Sequence, residues 1–256
     1  MNSLISSILF PVLAYLIGAV PFGLIIVRLV SNTDIRRIGS GNIGATNVRR
    51  AAGTRWAAVV LICDMLKGLL PTLGAAWLNA DALQWLPALT ALAAVCGHMY
   101  PIYLNFKPSG KGVATALGAL LITAPWACLS AVMVFLLAVK LSRRVSVGSL
   151  SGILLLPPAT WFTTGNPFST GAALIIMVLI LIRHEENLHR LARGEEPALN
   201  LSHQRGPDQG QHATKHEEAF HPEFHADARQ HVAAFMSGNH EKQQQHGDDQ
   251  DKSQGT

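Results

Sequence analysis

Apolar residues run along this chain in long uninterrupted stretches. No Asp, Glu, Lys or Arg occurs in residues 1–27, 82–106, 112–139 or 145–182, and another apolar segment, residues 56–78, is interrupted only by Asp64 and Lys67. A bilayer core needs about 20 apolar residues per crossing helix. The pattern therefore predicts an all-α, polytopic helical membrane protein. Residues 1–27 have no basic start, too long an apolar run for a signal peptide and no small-residue cleavage site before Arg28, so they read as a retained first helix.

Pro125 and Gly165-Asn166-Pro167 interrupt the two longest runs and predict a bend in each, so that each goes out and comes back. This gives seven transmembrane helices. Halves of about 12–18 residues reach only about 18–27 Å, so the bilayer thins there or these helices stop short of a full crossing. The alternative, one tilted span per long run, gives five helices. Seven is preferred, because five would place Lys140, Arg143 and Arg144 on the outer side, against the rule that cationic loops face the cytoplasm.

Composition sharpens the picture. Nearly half of the 256 residues are hydrophobic and 14% are charged, against about 25% for an average soluble domain, which excludes a soluble globule. Before Leu201 there are fifteen Lys and Arg against seven Asp and Glu; from Leu201 onward there are five against nine. The first apolar run is followed by Arg28, Arg36, Arg37, Arg49, Arg50 and Arg55 with one acid, Asp34, so this loop faces the cytoplasm. The other cationic loops, over residues 107–111, 140–144 and 183–193, follow it, which puts the N-terminus outside and the C-terminus inside.

Residues 1–200 form the membrane domain. Residues 201–256, rich in Gln, His, Asp, Glu and Gly, carry too few large aliphatic residues to offset ordering entropy and read as a disordered cytoplasmic tail. Eight of eleven histidines lie there; the pairs His212/His216 and His221/His225 could hold a metal if helical, but a solvated low-complexity tail is the preferred reading. Cys63, Cys96 and Cys128 sit in apolar segments and read as small core residues.

Three cytoplasmic segments hold most of the polar chemistry. Gly39-Ser40-Gly41-Asn42-Ile43-Gly44-Ala45-Thr46-Asn47-Val48-Arg49-Arg50 combines glycines that expose backbone amides with Ser40, Asn42, Thr46, Asn47 and the cation Arg50, a set suited to a phosphate or polyol. Phe106-Lys107-Pro108-Ser109-Gly110-Lys111-Gly112-Val113-Ala114-Thr115 is a glycine turn entering an apolar helix, where free amides and Lys111 suit an anion, although taken alone it reads equally as a basic helix cap at a membrane interface. It is not a Walker A loop, since Gly112 follows Lys111. Arg183-His184-Glu185-Glu186-Asn187-Leu188-His189-Arg190-Leu191 follows the last apolar run, and on a helix His184, Asn187 and Leu191 share a face. Ser146 and Ser149 open another helix behind Arg143 and Arg144. Asp64 and Lys67 read as a mutual pair facing the bundle interior, and His98 as a packing residue.

In this order and on this hydropathy profile the segments resemble the bacterial acyl-phosphate:glycerol-3-phosphate acyltransferase family. The matching words are Ser40-Gly41-Asn42-Ile43-Gly44-Ala45-Thr46-Asn47 with Arg50; Gly97-His98, Pro101 and Gly110-Lys111-Gly112-Val113-Ala114-Thr115; and His184, Asn187, Arg190, Leu191, Gly194 and Glu195. They span roughly residues 4–197 and exclude the tail. The family usually writes the second loop F-K-G-G-K-G; here Pro108 and Ser109 replace one glycine and lengthen it.

The resemblance implies transfer of an acyl chain from acyl phosphate to the 1-hydroxyl of glycerol 3-phosphate, giving lysophosphatidic acid and phosphate in the first committed step of phospholipid synthesis at the bacterial inner membrane. Acyl phosphate is an activated mixed anhydride, so no Ser or Cys nucleophile is required. Lys111 with the Gly110 and Gly112 amides would bind a phosphate and developing negative charge. Ser40, Asn42, Thr46, Asn47, Arg50, Ser149 and Arg183 would hold substrate, and His184, oriented by Asn187, would accept the attacking proton or position the hydroxyl. Membrane lipid surrounds the site; no cofactor, metal or nucleic acid is expected. The alternative is a transporter or binding protein for a phosphorylated metabolite, disfavoured because neither glycine word recurs in a second half.

Overall fold

The computed structural model describes residues 3–78 and 84–199, and every regular element among them is helical. In chain order these are α1 (Ser3–Gly18), α2 (Phe22–Ser31), α3 (Ala45–Ala52), α4 (Thr54–Leu78), α5 (Leu86–Met99), α6 (Val113–Leu121), α7 (Pro125–Ser142), α8 (Val145–Thr164), α9 (Pro167–Arg183) and α10 (Glu185–Ala192). The readings made for residues 201–256 lie outside the described residues.

Five stretches are long and apolar enough to cross a membrane: Leu4–Ser31, Thr54–Leu78, Leu86–Leu104, Pro125–Ser142 and Val145–Thr164. The pair α9 and α10 qualifies together as a sixth, bent by 58°. Both expected bends are present. Helix α7 starts at Pro125, and Gly165 at φ 60° ends α8 before Asn166 accepts from the Phe168 and Ser169 amides to cap α9. By length and composition these candidates number five or six, so the expected seven is not confirmed; α6, the short half before Pro125, has nine residues and reaches only about 14 Å. The five-helix alternative also needs revision, since its single span over residues 145–182 is broken at Gly165.

Outward-facing Ile8, Leu61, Leu136, Phe162 and Ile175 give the bundle an apolar exterior, which suits lipid and would be penalised in water. Inside, contact between helices is set by glycine. A Cβ on Gly68 of α4 would lie 2.2 Å from the Thr115 carbonyl oxygen of α6, and one on Gly97 of α5 would lie 2.2 Å from that of Tyr15 on α1. Helices that pack without a hydrophobic driving force gain from such close backbone approach. The main buried cluster joins Val95 and Met99 of α5, Leu120 of α6, Ile153 of α8 and Ile176 and Ile180 of α9. A second, with Val27, Ile35, Ile43, Val48 and Val60, lies beneath the first polar loop.

The first crossing is broken at Pro21, which has no N–H to continue the ladder. The Val20 carbonyl at the break accepts from the Lys67 ammonium at 3.1 Å, and Lys67 also pairs with Asp64 at 2.9 Å and lies 5.7 Å from the Phe22 ring centre. Both partners of the pair are buried. The expected interior pairing of Asp64 and Lys67 is therefore present, and it also closes the break in the first crossing. Cys63, Cys96 and Cys128 are free.

Removing one member of a buried pair leaves the other charge uncompensated. Lys67→Met is expected to destabilise the detergent-solubilised protein by about 3–5 kcal/mol in thermal or denaturant melts, and Asp64→Asn combined with Lys67→Met should recover part of that loss.

Candidate active site

The first polar loop is organised by one side chain. Asn47, 2% exposed, donates from Nδ2 to the carbonyls of Ile35 (3.2 Å), Ile38 (2.9 Å) and Asn42 (2.9 Å), and its Oδ1 accepts from the Ser40 amide at 3.4 Å. Its polar atoms are thus engaged by the loop itself. Asn47, expected from the sequence to hold substrate, shapes the loop through these contacts. Gly39, at φ 54°, passes so close that a Cβ there would lie 2.6 Å from Asn47 Oδ1 and 3.3 Å from the Arg50 guanidinium. Asn42 accepts from the Gly44 amide at 2.8 Å. Ser40, Thr46 and Arg50 stay exposed on the loop and on α3.

The second and third segments meet directly. The chain leaves α5 and returns at Ser109, whose amide donates to the Met99 carbonyl at 3.1 Å. Arg183, at the end of α9, donates from Nε to the Gly110 carbonyl at 3.1 Å, so part of its guanidinium holds the loop. Gly112, at φ 82°, caps the N-terminus of α6. Between these glycines the Lys111 ammonium donates to Asn187 Oδ1. Asn187 Nδ2 donates in turn to Glu196 Oε1 at 2.6 Å, and Arg190 Nε to Glu196 Oε2 at 2.8 Å.

His184 stands at the junction of α9 and α10 and is buried, as is Asn187 three residues on. The shared inward face predicted for them is present. His184 Nδ1 lies 2.8 Å from the Ile180 carbonyl, a contact that assigns the proton to Nδ1 and leaves Nε2 as an acceptor. Burial, helped by the Lys111 charge, pushes the His184 imidazole down to about 4. Burial and the nearby Arg190 push Lys111 down to about 8. At neutral pH the site therefore pairs a neutral imidazole with a cationic lysine.

Glu196 was not picked out from sequence, where Glu195 took its place among the matching residues. The structure reverses the two acids: Glu195 is exposed beside Arg193, and Glu196 is buried. The cause is the end of α10. Gly194, at φ 73°, donates to the Leu191 carbonyl and Glu195 to that of Arg190, a paired closure that turns the chain back over the helix. Arg144 Nε on the Glu196 carbonyl (3.1 Å) and the Leu199 amide on the Arg143 carbonyl (2.6 Å) fasten the returning segment. Burial would raise the Glu196 carboxyl, but the Ser146, Arg190 and Asn187 groups around it hold it below its ordinary range. Ser149 is buried on α8, three residues beyond Ser146. Among the described residues no three His, Cys, Asp or Glu side chains converge as metal ligands.

The family model described as glycerol-3-phosphate acyltransferase matches residues 8–194. A glycerol-3-phosphate acyltransferase from Anaeromyxobacter sp. (strain Fw109-5) is 44% identical over 191 residues, covering 73% of this chain and 93% of that protein. One from Syntrophotalea carbinolica is 47% identical over 183 residues, covering 72% and 92%. Two crystal structures of PlsY (YgiH), an integral membrane glycerol 3-phosphate acyltransferase, are similar in fold. Its glycerol 3-phosphate form has TM-score 0.72 and 37% identity over 76% of this chain and 96% of that one. Its lysophosphatidic acid form has TM-score 0.69 and 36% identity over 75% and 95%.

Glu196→Ala would leave Arg190 and Asn187 facing a vacated, buried position, with an expected loss of about 2–4 kcal/mol in a melting experiment. Glu195→Ala, at an exposed position, should stay within about 0.5 kcal/mol of the parent.

Proposed function

The chain belongs to the glycerol-3-phosphate acyltransferase family, and we propose that it takes the acyl group from acyl phosphate and gives lysophosphatidic acid and inorganic phosphate. The observation that supports this most is the half-buried Lys111 cation, held by Asn187 at the entrance to α6 and set beside the neutral His184. A phosphorylated donor and a phosphorylated acceptor both suit a cationic site of this kind. The solved relatives carry glycerol 3-phosphate in one form and lysophosphatidic acid in the other, in keeping with the two ends of such a reaction. Family membership removes the ground for the transporter reading.

In the proposed step the 1-hydroxyl oxygen of glycerol 3-phosphate attacks the acyl carbonyl carbon. Its proton passes to His184 Nε2, the carbonyl oxygen becomes an oxyanion, and the carbon–oxygen bond to phosphate breaks as the carbonyl reforms. Lys111 and the amides opening α6 stabilise the negative charge that moves first onto the carbonyl oxygen and then onto the departing phosphate. Arg183 holds Gly110, Glu196 holds Asn187 and Asn187 holds Lys111, so the cation is placed before substrate arrives. Asn47 shapes the first loop so that Ser40, Thr46 and Arg50 are offered to the second phosphate and the glycerol hydroxyls. Asn42 and Ser149 complete that set. By the charge of its loops, this site lies on the cytoplasmic side of a bacterial inner membrane, with the N-terminus outside.

Purified protein given labelled glycerol 3-phosphate with palmitoyl phosphate, palmitoyl-CoA or palmitoyl-acyl-carrier protein should make lysophosphatidic acid from palmitoyl phosphate alone. Lys111→Ala should lower that rate by at least about 10²-fold. Product from a thioester would contradict the donor assignment. With acyl phosphate as donor, kcat/KM should rise as His184 loses its proton through about 4 and fall as Lys111 loses its own through about 8. His184→Gln should abolish the rise, and Lys111→Arg, whose guanidinium keeps its charge, should move the fall upward.

A further inference from the structure

We infer that His98 is a positioning residue for Lys111: its ring seats Gly110 and so sets where the cation stands. The inference rests on the reading of Lys111 as the phosphate-binding cation. In the sequence Gly97-His98 is one of the matching words, but His98 reads there only as a packing residue; it sits on α5, one residue from the helix end and 4% exposed.

The contact is unusually direct. A Cβ on Gly110 would lie 2.0 Å from His98 Nε2 and 2.4 Å from Cδ2, so the imidazole occupies the space in which a side chain at 110 would begin. The next residue of α5 does the same for the other glycine: a Cβ on Gly112 would lie 2.6 Å from Met99 Cε. His98 and Met99 therefore hold the glycines on either side of Lys111. Of the three loop residues, only Lys111 has a side chain, and it points away to Asn187. The Ser109 amide on the Met99 carbonyl fixes the register of the loop against α5, and Arg183 fixes the Gly110 carbonyl from α9.

Volume alone does not account for an imidazole here, because an apolar ring would fill the same space without a polar atom to desolvate. His98 Nδ1 makes no hydrogen bond, yet it faces the Asp64 carboxylate at 3.6 Å. Asp64 is itself held by Lys67 at 2.9 Å, and Lys67 by the Val20 carbonyl at 3.1 Å. The ring is thus oriented by a buried charge on α4 on one side and bears on the loop with its other edge. A chain of contacts runs from the break in the first crossing through Lys67, Asp64 and His98 to Gly110.

A purely structural histidine and a positioning one differ in a double-variant cycle. Gly110→Ala pushes the loop off the ring and should lower kcat/KM for glycerol 3-phosphate by about 10²-fold, the loss expected when a binding group moves by about 1 Å. His98→Ala removes the support and should lower it by about tenfold, chiefly through KM; combining the two should restore at least about tenfold relative to Gly110→Ala, because the methyl group takes space the ring has left. The same order should appear in the rise of melting temperature that glycerol 3-phosphate produces, a readout that needs no acyl donor. Should His98→Ala fail to fold, His98→Asn takes its place in the cycle, being shorter and keeping an amide towards Asp64.

A combined variant no better than Gly110→Ala, in protein that melts like the parent without ligand, overturns the inference. A parent that gains stability from glycerol 3-phosphate but transfers no acyl group from any donor would refute the proposed reaction. The thermal-shift cycle would then still decide the role of His98.

Discussion

An ammonium ion at the middle of an apolar helix has to be neutralised where it stands, and around Lys67 that requirement shapes the structure. Its partner Asp64 lies one turn earlier on α4, and its second partner is the Val20 carbonyl at a helix break. Charge in an apolar interior is costly unless paired and hydrogen-bonded. The break in the first crossing supplies an acceptor that a continuous helix would have kept for itself, so each irregularity satisfies the other. The same carboxylate faces His98, and through it the pair bears on the polar end of the bundle.

At that polar end, Glu196 does for the loops what Asp64 does for the helices. Its two carboxylate oxygens take hydrogen bonds from Asn187 and Arg190, and its carbonyl takes one from Arg144. One residue thus joins α10 to the junction of α7 and α8, and through Asn187 it reaches Lys111. The cation is held by the neutral Asn187 amide, and burial brings its titration down to about 8. A lysine so held keeps its charge at neutral pH and is partly freed of the water that competes with an anion for it.

Much of this was legible in the chain itself. Long runs without charge point to helices across a bilayer, because the helix alone satisfies its backbone within a single segment there. Glycine-rich words flanked by cations mark anion sites wherever they fall, and Pro125 and Pro167 stand at helix starts because proline suits that position. His184 and Asn187 are close in the chain, so helical spacing alone predicts that they share a face. Other roles were hidden. The hold of Asn47 on three backbone acceptors five to twelve residues away could not be read from the chain. Glu195 and Glu196 are chemically identical neighbours, and only the left-handed turn at Gly194 decides which one enters the site.

Local pattern is set by short-range sterics and by the preference of apolar residues for lipid, and the sequence by itself determined that much: an all-helical membrane bundle, its bends, the three polar segments and the interior pairing of Asp64 with Lys67. Which acid is buried, what Asn47 holds, and the seating of Gly110 on His98 depend on contacts between residues far apart in the chain. Those contacts exist only once the helices pack at the distances Gly68 and Gly97 allow. Only the tertiary structure decided them, because an interior position is defined by what surrounds it, and no single segment carries that information.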